Sequence, residues 1–254
     1  MSERARLLSR IEAALAADDF PRSLDALADI EPKKRLKPLF SALLAKESRL
    51  RWHAVTALGA AGAELAAREP EAARDFWRSL MWRLNEESGA IGWGIPEVMG
   101  EILARAPTLA GDYARILIAY VRDLPGAATA YLDHPLLRRG VWWAIARLAA
   151  ARPDLARESL DVLPAALAAS DPATRGLACL TLARLGPPIA PALAARLADL
   201  AGDAATFELY REERVAEVSV AVLAQWALEE GKKAASDGPG HDVPGSLGGE
   251  TAGN

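Results

Sequence analysis

Apolar side chains recur three and four residues apart along most of this chain, from its start to about residue 231. Pro32 to Lys46 sets Leu36, Leu39, Phe40, Leu43 and Leu44 on one stripe, and Glu71 to Glu86 does the same with Phe76, Trp77, Leu80, Met81 and Leu84. Recurrence at i, i+3, i+4 and i+7 is the mark of a helix with one buried face. Leu109 to Leu124, Asp154 to Ala168 and Pro188 to Ala201 carry the same pattern. Pro70, Pro107, Pro153 and Pro172 punctuate it where proline suits a first helical turn. No stretch alternates with period two for long enough to predict a sheet.

Between these stripes lies a longer repeat. Glu47, Arg51, Ala54 and Leu58 match Asp171, Arg175, Ala178 and Leu182 in both spacing and type. A third copy runs from His134-Pro135 through Arg138, Val141 and Ile145, a fourth through Ile95, Val98 and Ile102, and a weaker fifth through Ser219 and Leu223. The copies recur every 37 to 44 residues or so, within the range of two-helix HEAT-type units. The pattern predicts an all-α, HEAT-like α-solenoid of about five helix pairs, with residues 3 to 30 forming an N-terminal helical cap. Residues 1–231 read as one helical repeat domain. Residues 232–254 are rich in Gly, Pro and Ser, too poor in large apolar side chains to offset chain entropy, and are expected to be a disordered tail.

The segment Asp171-Pro172-x-x-Arg175-x-x-Ala178 resembles HEAT-like repeats of the kind found in phycobilin lyases and many scaffolds. The stretch from Leu80 to Ile102, with Arg51-Trp52-His53-Ala54-Val55-Thr56 and Arg138-Arg139-Gly140-Val141-Trp142-Trp143, resembles an uncharacterised bacterial family of HEAT-like repeat proteins. That resemblance implies a fold and transfers no catalytic role.

Composition narrows the function classes. Net charge is −4, with 30 Lys+Arg against 34 Asp+Glu, so a generally basic nucleic-acid domain is not expected. The lone cysteine, Cys179, excludes a disulfide framework and reads as a buried, inert thiol. No apolar run reaches the roughly 20 residues a membrane span needs. The start of the chain carries charges where a signal peptide has an apolar core, so a cytoplasmic location is expected. His53, His134 and His241 are far apart, and neither a metal-ligand pattern nor a phosphate-cradling glycine loop is present, so no metal or cofactor is expected.

The repeat breaks between Asn85 and Glu101. Three glycines fall within Gly89 to Gly94, Trp93 lies between two of them, and Ile95 stands where its siblings have Arg. Local conflict of this kind collects at functional sites. Glu97 and Glu101 are i, i+4 and share a helix face, where unpaired they repel. The expected site joins Asn85, Glu86, Glu87, Trp93, Glu97 and Glu101 to Trp52, His53 and Trp143 of neighbouring repeats. Its chemistry is an acidic, Trp-lined surface for a protein partner or a cationic group, with a small-molecule ligand as another candidate. If Glu97 is a surface carboxylate, Glu97→Gln changes stability by less than about 1 kcal/mol. Trp77, Trp82 and Trp226 are expected to pack between repeats.

The reading is therefore a non-catalytic binding or scaffold module. Its rivals are a HEAT-type lyase or cofactor-handling enzyme subunit, and a HEAT-like DNA glycosylase using Arg51, Arg138, Arg139 and Arg175. Because the arginine recurs at the repeat consensus position, as Arg51, Arg138 and Arg175, it is expected to pair with acidic caps or helix ends instead.

Overall fold

The computed structural model describes residues 2–84, 92–124 and 130–236, with side chains as far as residue 232. Its elements follow in the order α1 (Glu3–Ala16), α2 (Phe20–Asp25), α3 (Pro32–Ala42), α4 (Ser48–Arg68), α5 (Pro70–Leu84), α6 (Ile95–Arg105), α7 (Pro107–Ala119) and α8 (Pro135–Ala151). After these come α9 (Pro153–Ala156), α10 (Leu163–Leu167), α11 (Pro172–Leu185), α12 (Pro191–Leu200), β1 (Thr206–Arg211), β2 (Arg214–Ser219) and α13 (Val220–Ser236). The fold is an all-α helical-repeat solenoid that carries one β-hairpin.

The second helices of the units stack in register. α4 packs on α6, α6 on α8, α8 on α11 and α11 on α13, while α3, α5, α7 and α12 flank them. Leu58, Val98, Val141, Ile145 and Leu182 fill the seams of this stack, each no more than 1% exposed. α1 packs against α2, α3 and α4, as the N-terminal cap requires.

The consensus arginine has a physical role. Its guanidinium folds back to tie the preceding loop to its own helix, donating to the carbonyls five and six residues earlier. Arg51 reaches Ala45 and Lys46 at 3.1 and 2.9 Å, Arg138 reaches Leu132 and Asp133 at 2.7 and 2.5 Å, and Arg175 reaches Ala169 and Ser170 at 2.9 Å each. Orphan loop carbonyls are thus satisfied by charge-assisted bonds.

Four expectations change. Thr206 to Ser219 form an antiparallel hairpin, with Thr206 opposite Ser219 and Arg211 opposite Arg214, where no sheet is predicted from the pattern. Asp154 to Ala168 is not one helix; it splits into α9, a 3₁₀ turn at Arg157–Ser159 and α10, whose Pro164 has no N–H to continue an earlier helix. α13 runs on to Ser236, past the expected domain end at 231; the remainder of the proposed tail, from 237, lies outside the described residues. Trp82 is 65% exposed and does not pack between repeats, whereas Trp77 is fully buried and stacks on Tyr113.

Candidate functional site

α6 begins late. α4, α8 and α11 each start three residues before their consensus arginine, but α6 starts at Ile95, the residue in the arginine's place. One helical turn is therefore missing between α4 and α8. Gly94 caps α6 with φ +74, a conformation that a side chain resists.

A cleft of about 590 Å³ opens on this side of the stack. Trp52 and Val55 of α4, Trp93, Glu97 of α6, Leu136 and Arg139 of α8, and Glu208 of β1 line it, together with Leu43 to Ala45. Trp93 meets His134 edge-on at 5.4 Å, a neighbour that sequence spacing does not reveal. Leu44, Trp93 and Leu136 keep 69%, 37% and 43% of their surface in solvent, so the rim is apolar and exposed.

Glu97 sits at the α8 side of the cleft. The residue is half-buried, but its Oε2 is buried and has no hydrogen-bond partner among the described residues. Burial pushes its carboxyl up to about 7, against a smaller opposing effect of its own backbone N–H. The charged groups facing the cleft are Arg51, Arg139 and Glu208. Each is committed elsewhere: Arg51 to loop carbonyls, Arg139 to Asp171 at 2.6 and 3.2 Å, and Glu208 to the hydroxyl of Ser48. Burial also corrects the view of Glu97 as a surface carboxylate of little consequence to the fold.

One turn further along the same three helices lies a second cavity, of about 270 Å³. Thr56, Glu101 and Trp143 line it, four residues on from Trp52, Glu97 and Arg139. Glu97 and Glu101, one turn apart on α6, line different cavities. Glu101 is 3% exposed and bridges Arg105 and Arg147 at 2.8 and 2.7 Å.

The wall between the cavities is aromatic. Tyr210 of β1 stacks on Trp52 at 4.9 Å, Trp143 lies 4.8 Å from Trp52, and the Trp143 Nε1 donates to the Tyr210 carbonyl at 3.1 Å. The Tyr210 hydroxyl meets Thr56 Oγ1 at 3.1 Å. The hairpin is seated here because Phe207 occupies the space that a side chain on Gly176 would fill.

Of the predicted site residues, Trp52, Trp93 and Glu97 meet in the cleft, while Glu101 and Trp143 belong to the second cavity. His53 joins neither: it is buried, stacked at 3.9 Å on Phe20 of the cap, with Nδ1 2.7 Å from the Leu15 carbonyl. Asn85, Glu86 and Glu87 lie outside the described residues. Arg105, Arg147, Arg184 and Tyr210 are not singled out by sequence reasoning. Cys179 is buried, its thiol pushed up to about 12 by burial and then by Asp203, as an inert core thiol requires. Among the described residues no group of His, Cys, Asp and Glu is placed to hold a metal, and no helix is long and apolar enough to cross a membrane.

Comparison with solved structures bears on the fold. The chain is similar to an engineered protein from a structural genomics consortium, with 16% identity, a TM-score of 0.51, and coverage of 92% of this chain and 98% of that one. A computationally designed armadillo repeat protein for modular peptide recognition overlays less well, at 14% identity and TM-score 0.46, over 90% of this chain and 99% of its own. No protein-family model matches the chain, and no curated protein matches it.

Proposed function

We propose that this HEAT-like chain, which resembles a bacterial repeat family over most of its length, is a non-catalytic binding module. Its cleft takes a cationic side chain, lysine or arginine, from a protein partner. The observation that carries this reading is the buried, partnerless Oε2 of Glu97 beside Trp52 and Trp93. A carboxylate without a partner in an apolar setting is costly, and an incoming cation supplies the missing donor. Indole faces add cation–π attraction once the site is desolvated. The exposed Leu44, Trp93 and Leu136 on the rim suit the apolar stem of such a side chain and the surface around it.

Titration calorimetry with two capped peptides tests the reading, one carrying a single arginine and the other citrulline at that position. The arginine peptide should bind at least about tenfold more tightly, the worth of a charged hydrogen bond. In Glu97→Gln that preference should vanish. Equal affinity of both peptides for the unaltered protein would refute it.

A further inference from the structure

The second cavity carries a different chemistry. Arg105, Arg147, Arg184 and Arg211 line it against Glu101, Glu212 and Glu213, and the last two belong to the hairpin tip. Inside, three guanidinium groups face one carboxylate. Arg105 and Arg147 each spend only Nε on Glu101. Arg184 spends Nη1 on the Ala146 carbonyl at 2.9 Å and forms no ion pair among the described residues. Among the described residues, both outer nitrogens of Arg105 and Arg147 and the Nη2 of Arg184 are left for another acceptor. Thr56 and Tyr210 add two hydroxyls.

We propose that this cavity binds a compact oxyanion of the phosphate class. Three arginines converging from α6, α8 and α11 offer paired N–H donors that match tetrahedral oxygens. Glu101 neutralises one of the three inner positive charges and a divalent anion offsets the other two, while at the mouth Arg211 is outnumbered by Glu212 and Glu213. The volume suits inorganic phosphate or a small phosphomonoester; a bulky ligand does not fit behind the hairpin tip.

Two further features agree with this assignment. Burial, and then the charges of Arg147 and Arg211, lower the Arg184 guanidinium to about 10, so positive charge is crowded there without full compensation. The hairpin turn also holds Glu212 and Glu213 at φ 52 and 63. Side chains other than Gly and Asn seldom adopt that region. Here it sets two carboxylates at the mouth of an arginine-rich cavity, with Glu212 paired to Arg211 at 3.3 Å.

The test is titration calorimetry of the full chain with inorganic phosphate in a phosphate-free, low-salt buffer. Saturable binding is expected. Arg184→Gln should weaken it by at least about tenfold, and Arg105→Gln, at a more exposed position, should weaken it in the same direction should Arg184→Gln fail to fold. Glu101→Gln removes the competing carboxylate and should tighten binding. Opposite signs at Arg105 and Glu101 cannot come from damage to the fold, because both changes break the same ion pair. Absence of saturable binding by the unaltered protein, or equal affinity in the arginine variants, overturns the proposal. Neither result touches the Glu97 cleft, which is probed separately with the arginine peptide.

Discussion

A Cβ on Gly140 would stand 2.7 Å from the carboxyl carbon of Glu97 and from both of its oxygens. α8 passes Glu97 at this level because it has no side chain there. α8 thus covers one side of the carboxyl group closely, while the residue still lines the cleft, and Oε2 has no partner among the described residues. A Cβ there must push aside the Glu97 carboxyl group, the movable end of a flexible side chain, so Gly140→Ala should cost no more than about 1 kcal/mol once the roughly 1 kcal/mol that Ala gains over Gly in a helix is counted. In a Glu97→Ala background Gly140→Ala should be stabilising. A double-mutant cycle by urea unfolding measures the coupling, and simple additivity would contradict the contact.

The raised carboxyl of Glu97 sets a pH dependence with a definite sign. Its folded value of about 7 lies above the ordinary 4.5, so the folded chain holds this proton more tightly than the unfolded one. Below pH 4.5 the group is neutral in both states and costs nothing. Stability then declines as pH rises from 4.5 to 7, by at most about 3 kcal/mol, and is level above. Glu97→Gln should be more stable than the unaltered protein at pH 8 and equal to it near pH 4. Melting curves at the two pH values check this; a variant less stable at pH 8 would show that the carboxylate has a donor.

The helical architecture and its repeat were legible because both rest on local spacing. Arg51, Arg138 and Arg175 stand out at one position, and each does the same thing, bonding its own loop. The pairing of Glu97 with Gly140 was not legible, since it depends on how two helices far apart in sequence are brought together. Read locally, Glu97 is a first-turn carboxylate of the usual exposed kind. Arg105 and Arg184 likewise read as cations suited to a last helical turn, not as neighbours across a cavity. The hairpin was not legible for another reason. Its turn is Glu212-Glu213 between two arginines, where Asn-Gly or Asp-Gly is the readable signal.

That turn yields its own prediction. Left-handed backbone at a residue other than Gly costs about 1–2 kcal/mol. Replacing Glu212→Asn together with Glu213→Gly should stabilise the chain by about 1 kcal/mol, as read from urea midpoints, since part of the strain relief is lost to glycine's freedom when unfolded. A clear loss of stability would mean that the two carboxylates hold the hairpin to the arginines more strongly than the strain opposes it.

The stack itself can be probed at its seams. Leu58 on α4 and Leu182 on α11 are 0% and 1% exposed. Each Leu→Ala change should cost about 2–5 kcal/mol, from lost transfer energy and the cavity left behind. Costs below about 1 kcal/mol in chemical unfolding would argue against this packing.

The central claim is that Glu97 receives a cation, and its proton reports this directly. At pH 6 the carboxyl, at about 7, is mostly protonated, and it must ionise to pair with an arginine. Calorimetric titration of the arginine peptide in two buffers of different ionisation enthalpy counts the protons exchanged. Release of close to one proton per peptide, on the order expected for a group one pH unit below its midpoint, is predicted for the unaltered protein and none for Glu97→Gln. Tight binding with no proton released, or the same release from both proteins, would contradict it.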